Sequence, residues 1–255
     1  MPTVTLLAKA HNDVQLKHVH ALLKFKLRGL KAKIEVLGAS PRGWVQVAIS
    51  GEDEAVALRY LAEEIGLCPV VPSQLHEFSS MKGSIIALDK NAVSLDVGVF
   101  SPTVVDATVP LSCLQAQLVD GRKVALDKIA NLYGFCDNFP LTIKVLNNDA
   151  ENGRIDAMLA ERQIAQYRDW TKRLLDVLVV LGASSREVEL TLKATGSARD
   201  IVTVEPLGLF EFAVVCKLGT DAPGLIPRFG RSLRSARFSI FSPRRVLDFL
   251  GDLIL

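Results

Sequence analysis

The apolar pattern of this chain predicts an α+β multidomain fold. Three observations carry that prediction. At both ends of the chain, short alternating apolar runs are interleaved with runs at helical spacing. Between the ends lies a stretch of near-continuous alternation that reads as all-β. A polar segment, residues 72–80, separates the first texture from the second. With 255 residues there is room for three small units, since domains usually run about 100–150 residues. At 49% hydrophobic and 23% charged, the composition excludes general disorder.

The elements follow in order. Residues 3–10 alternate Val4, Leu6 and Ala8 and read as a strand. Asn12 or Asp13 caps a helix over 14–28, whose inward face is Leu16, Val19, Leu23 and Leu27, with Gly29 as its stop. Strands over 32–39 and 44–50 flank the turn Ser40-Pro41-Arg42-Gly43. Asp53 caps a helix over 54–65, and a short extended piece, 68–71, closes the unit. This β-α-β-β-α-β order matches the ferredoxin-like split arrangement and defines a first domain over 1–72. Trp44 is the sole aromatic in its three main strands, so it lacks the stacking platform of an RRM.

The second domain spans 80–160, with strands over 82–88, 93–98, 104–109, 141–146 and 153–159. A turn and a short helix fall within 118–133. The third, 161–255, opens on a long helix running to Gly182 through Ile164, Tyr167, Leu174, Val177 and Leu181. A helix over 186–194 and strands over 201–205 and 210–217 follow, the last running into a glycine-bearing loop, 219–224. Because Pro227 suits a first turn, the next helix is expected to begin near Leu225 and to reach Leu233. A strand over 236–241 and a helix over 243–250 complete the chain.

Residues 81–160 resemble an S1-type OB domain. The match rests on Gly83-Ser84-Ile85-Ile86, Val93-Ser94-Leu95-Asp96-Val97-Gly98, Val109-Pro110-Leu111-Ser112-Cys113-Leu114, and Ile143-Lys144-Val145 through Gly153-Arg154-Ile155. The resemblance implies a small closed barrel that binds single-stranded RNA. The chain departs from it in three places. Asn91-Ala92 stands where an aromatic usually precedes strand two, Pro110 stands where a His is frequent, and residues 120–140 read as an insertion. The whole arrangement also resembles a family of conserved archaeal proteins of unknown function. That second likeness is carried by the barrel and by the segment running from Gly208-Leu209 to Gly224-Leu225-Ile226, and it implies an archaeal cytoplasmic setting.

A net charge of +2 hides a strong asymmetry. Residues 14–34 carry six basic side chains and no acid, and residues 222–246 carry six arginines and no acid. The remainder holds 18 basic against 28 acidic residues. Clustered cations release counterions when they meet a polyanion, whatever the overall charge. In the first block Lys17, His20, Lys24 and Arg28 share one helix face. In the second, Arg228, Arg231 and Arg234 recur every three residues behind the loop 219–224. A turn between strand and helix leaves free N–H groups that can cradle phosphate, with Lys217, Gly219, Thr220 and Gly224 at hand. The loop is not a Walker A motif, because Leu225-Ile226 follows Gly224.

Other chemistries find little support. His18 and His20 point apart on a helix, and His11 and His76 have no neighbouring ligands, so no metal is assigned. The four cysteines lie far apart without a CxxC pair. No G-x-S-x-G elbow occurs, and Asp96 and Asp106 read as barrel-rim turn residues. The longest stretch free of Asp, Glu, Lys and Arg is 13 residues, 107–119, shorter than the roughly 20 a membrane helix needs. No secretory leader is visible, so a cytoplasmic protein is expected. The sequence thus predicts an RNA-binding accessory protein of translation, ribosome assembly or RNA processing. It would hold the RNA backbone through basic surfaces, without cofactor or assigned catalytic residue. The alternatives are an enzyme holding a nucleotide or phosphorylated metabolite at loop 219–224, and an adaptor on the transcription or translation machinery.

Overall fold

The structure is a computed structural model and describes residues 2–149 and 153–251. It is a mixed α+β arrangement of two sheets and a closed five-stranded barrel. In the first unit β1 (Thr3–Lys9), β2 (Ala32–Ala39) and β3 (Trp44–Gly51) form an antiparallel sheet in the order β1-β3-β2. Helices α1 (Asp13–Lys26) and α2 (Glu54–Glu64) cover it over a core of Leu6, Val19, Leu23, Val47, Ile49 and Leu61. The Asn12 side chain caps α1 by accepting from the Gln15 N–H at 2.9 Å. The extended piece expected over 68–71 is not a strand. Only Leu6 and Leu67 form a bridge beside β1, because the chain there is shared: Cys68 N donates to Thr5 O, while Val70 O accepts from Phe100 of the barrel.

The barrel comprises β4 (Ser80–Asp89), β5 (Ala92–Val99), β6 (Val105–Pro110), β7 (Pro140–Asp149) and β8 (Arg154–Leu159), closed in the order β4-β5-β6-β8-β7. The β6–β8 contact is parallel and the others antiparallel, which is consistent with an OB-like barrel. Helix α3 (Leu111–Leu118) starts directly at Pro110, earlier than the sequence suggests, and buries Leu114 and Leu118. Helix α4 (Leu126–Tyr133) occupies the insertion. Gly134 ends α4 at φ +73° beneath the last sheet, and a Cβ there would lie 2.9 Å from Ile240 O. This position therefore requires glycine.

The long helix expected over 161–182 divides in two. Helix α5 spans Glu161–Arg173, Leu174 turns into the left-handed region at φ 56°, and Val177–Leu181 form strand β9. All five residues of β9 are buried. Val177, Val179 and Leu181 join the core shared with the barrel, while Leu178 and Val180 face the helices on the other side. Around β9 are α6 (Ser185–Ala194), β10 (Ile201–Pro206), β11 (Glu211–Cys216), α7 (Ala222–Ser232), β12 (Arg237–Phe241) and α8 (Pro243–Leu250). The sheet order is β10-β11-β9-β12, antiparallel throughout.

The three units are joined by polar as well as apolar contacts. Gln15 of α1 donates to Gly182 O at 2.9 Å, and Phe210 enters the core of the first unit. Lys82 of the barrel donates to Leu207 O at 2.7 Å. Next to this joint burial pushes the Glu211 carboxyl up to about 7, against the opposing pull of the Phe210 N–H and the charges of Lys82 and Lys9. Between its ordinary value and about 7 the folded state holds a proton that the unfolded chain has released. Stability therefore falls as pH rises through that window, and the loss is complete above it. Glu211→Gln keeps an acceptor for Phe210. It is expected to raise stability at pH 8 by about 1–3 kcal/mol and to flatten the slope below pH 7, as read by urea unfolding across pH.

Candidate nucleic-acid interface

Strands β11 and β12 flank β9 and run parallel to each other, so both end at one edge of the sheet. The chain leaves β11 through Lys217, turns at Gly219 (φ +87°), and enters α7 at Ala222. The helix begins three residues before Leu225, which corrects the expected start, and Gly224 lies inside its first turn. Pro223 allows this, because the N–H it lacks would have no helical partner at that position. Pro227 is accommodated within the helix.

Lys217, Gly219 and Thr220 line a pocket of about 300 Å³ together with Asp176, Asp221, Ser242, Arg244 and Arg245. Lys217, Arg244 and Arg245 are exposed and have no ion-pair partner among the described residues. The carboxylates partly offset them. Asp176 accepts from the Ser242 hydroxyl at 2.8 Å, and Asp221 stands at the N-cap of α7. Neither α7 nor α8 has its first N–H groups capped by a side chain, so both positive helix ends open near the pocket. Buried Cys216 beneath it has its thiol pushed up to about 12, by burial first and then by Asp176, Asp221 and Asp200. Its thiol is inert there.

Arg228 and Arg231 are exposed on α7, with Arg228 at 3.8 Å from Asp200. Arg234 is exposed too, but it lies beyond the helix, whose C-cap is Leu233, so the three arginines do not form one helical stripe. Lys17 and Lys24 are exposed on α1 and His20 is half-buried there, but Arg28, though exposed, lies beyond the helix, whose C-cap is Leu27, so the four do not form one helical face. The N-terminal end of α1 abuts Gly182, at the edge of the sheet opposite the pocket. The second basic block spans the sheet: Arg244 and Arg245 stand at the pocket, whereas Arg237 pairs with Leu181 at the other end and lines a small cleft with His11, Asn12 and Gln15 beside the start of α1.

The barrel offers less. OB barrels commonly bind nucleic acid on the face of their second and third strands, here β5 and β6. At the Val99 end the first unit covers that face. Lys9 pairs with Asp96 at 2.7 Å with both side chains buried, and the Trp44 indole N–H donates to the same carboxylate at 3.0 Å. Arg42 grips Asp106 with both terminal nitrogens. Gly98 lies so close to Cys68 that a Cβ would sit 2.7 Å from its sulfur. Asp96 and Asp106 are thus strand residues that hold two units together, not residues of a rim turn.

Sequence reading passed over Arg244, Arg245 and Ser242 as site residues. Their signal was present in Ser242-Pro243-Arg244-Arg245, a helix start with Pro in the first turn and two arginines behind it. Among the described residues no group of three His, Cys, Asp or Glu side chains could hold a metal ion, and no helix is long and apolar enough to cross a membrane.

No curated protein sequence matches the chain. A chain of the a/eIF2alpha–aDim2p–rRNA complex from Pyrococcus horikoshii OT3 is similar over 48% of this chain and 64% of its own length, at 11% identity and a TM-score of 0.27. The intact alpha subunit of aIF2 from Pyrococcus abyssi is similar over 66% of this chain and 97% of its own, at 8% identity and a TM-score of 0.28. A multidomain protein with nucleic acid binding domains from Streptococcus pneumoniae TIGR4 is similar over 88% and 53%, at 8% identity and a TM-score of 0.22. The chain thus spans less than two thirds of the first and third of these. Family models account for the three units in order: the DUF2110 N-terminal domain matches residues 3–69, the central domain 76–171, taking in nearly all of α5 with the barrel, and the C-terminal domain 175–241. With all three in register along its length, the chain belongs to the DUF2110 family.

Proposed function

We propose that this protein binds RNA through the ribose-phosphate backbone, at the edge of its C-terminal sheet, as an accessory factor near translation or RNA processing in the archaeal cytoplasm that the sequence resemblance implies. One observation carries the reading: Lys217, Arg244 and Arg245, from two separate chain segments, converge on one pocket without ion-pair partners among the described residues. Unpaired cations beside two open helix ends suit phosphate. Gly219 and Thr220 bring backbone close to the bound anion, Gly224 adds an N–H-bearing first turn, Arg228 and Arg231 extend the contact along α7, and Arg234 continues it past the helix end. Recognition is of backbone, because the covered barrel face carries no aromatic platform.

The test is a filter-binding titration with single-stranded and structured RNA at several salt concentrations. The wild-type protein is expected to bind with affinity that falls steeply with salt. The triple variant Lys217→Ala/Arg244→Ala/Arg245→Ala is expected to bind about tenfold or more weakly and to lose roughly 2 from the log–log salt slope, at about 0.7 per single-strand contact. Its melting temperature should not change, because the three side chains are exposed. Absence of binding at low salt, or an unchanged slope in the variant, rejects the reading. The pocket's volume also falls at the small end of the range for small-molecule sites. A nucleotide panel that raises Tm while RNA does not bind would favour a phosphorylated metabolite instead.

A further inference from the structure

A second concave surface lies between α1 and α6, away from the pocket. It encloses about 830 Å³ and is lined by Ala21, Leu22 and Phe25 of α1, Leu209 and Phe210 of the β10–β11 turn, and the first turns of α6. Phe25 is 65% exposed, and Val14 of the same helix 57%. Val14, Ala21 and Phe25 follow one another at helical spacing with His18 between them, so α1 presents outward a second face that is apolar apart from one imidazole, in addition to the one it buries. Apolar surface of this kind, contributed by two units at once, marks an interaction site.

We infer that this groove docks an amphipathic helix of a partner protein, with acidic side chains flanking the helix's apolar face. The walls are helices and a turn presenting side chains, so they offer anchor pockets at i, i+3 or i+4, and i+7. The lining from His18 to Phe25 spans about 12 Å, or two turns of a bound helix. Charge selects the partner. Lys17 and Lys24 border the apolar stripe on α1, Arg28 lies over the Phe25 ring at 5.6 Å, and Arg186 stands on the opposite wall. None of the four has an ion-pair partner among the described residues. Of the nearby acids, Glu187 is used in capping Ser184 and only Glu189 lines the groove. Phosphate recognition would need these cations but not the apolar floor of Ala21, Leu22, Phe25 and Leu209 between them. The inference is independent of the RNA reading.

The test is selection from a displayed library of random peptides, about 16 residues long, against the full chain. Enriched peptides are expected to share apolar residues at i, i+3 or i+4 and i+7 with Asp or Glu on the flanks. In fluorescence anisotropy one such peptide should bind about tenfold or more weakly to Phe25→Ser, an exposed substitution that leaves the melting temperature unchanged, and to Lys24→Glu/Arg28→Glu. No enrichment, enrichment without that pattern, or equal binding to Phe25→Ser overturns the inference. So do two other outcomes: a concentration-dependent dimer abolished by Phe25→Ser, which assigns the groove to a second copy, and single-stranded RNA binding that depends on Phe25 and displaces the peptide.

Discussion

Lys9→Met is expected to lower the unfolding free energy by about 3–5 kcal/mol, the cost of leaving a buried carboxylate without its counter-ion. Asp96 is 1% exposed and sits on β5 in the joint between the first unit and the barrel. Its oxygens accept from Lys9 at 2.7 Å, from the Trp44 indole at 3.0 Å and from the Gly98 N–H at 3.0 Å. The ammonium also lies 4.6 Å from the centre of the Trp44 ring. The methionine stem fills the space of the lysine stem, so the loss is electrostatic and not a cavity. Adding Asp96→Asn should restore most of the loss, because the amide oxygen still accepts from Trp44 and no charge remains buried. Urea unfolding of the single and double variants measures both. A single-variant change below about 1 kcal/mol would mean that the joint is solvated. Opening the joint should also speed thiol labelling at Cys68, which is buried against Gly98.

The same joint shows what a sequence can and cannot disclose. The strands of the barrel were legible because Val93, Leu95 and Val97 alternate and glycines or Asp-Lys-Asn punctuate them. The attachment of the barrel to the first unit was not, because Lys9 and Asp96 are 87 residues apart and neither has a local signature. Strand β9 was misread for a different reason. Leu174, Val177 and Leu181 satisfy helical spacing, and a short apolar run has no periodicity to contradict it. Three valines in Val177-Leu178-Val179-Val180-Leu181 favoured a strand buried on both faces, and Leu174 in the left-handed region is where the helix ends. The pocket was half visible. Lys217 and Thr220 announce themselves beside a glycine turn, whereas Arg244 and Arg245 become neighbours of that turn only when β11 and β12 end at the same edge of the sheet.

Trp170→Ala is expected to cost about 3–5 kcal/mol, and the loss should appear in one transition shared by the barrel and the C-terminal sheet. Trp170 lies on α5 at 1% exposure, in edge contact with Tyr167 at 5.7 Å and within 5.4 Å of the Phe241 ring. Tyr167 in turn meets Tyr133 of the insertion helix at 5.0 Å. The cluster therefore passes from α4 through α5 to β12, and its surroundings include Ile143 of the barrel, Val179 of β9 and Val246 of α8. Truncation removes the indole from a dry core, leaves a cavity and takes from the Glu205 carboxylate the indole N–H it accepts at 3.1 Å, leaving it paired with Arg173 alone. Because that core has no boundary between barrel and sheet, near-UV and far-UV signals should melt together in wild type and variant, shifted to lower denaturant by the same amount. Two resolved transitions, with only one moved by the substitution, would show that the barrel and the C-terminal sheet fold independently. The pocket lined by Lys217, Arg244 and Arg245 would then sit on a unit that folds without the barrel.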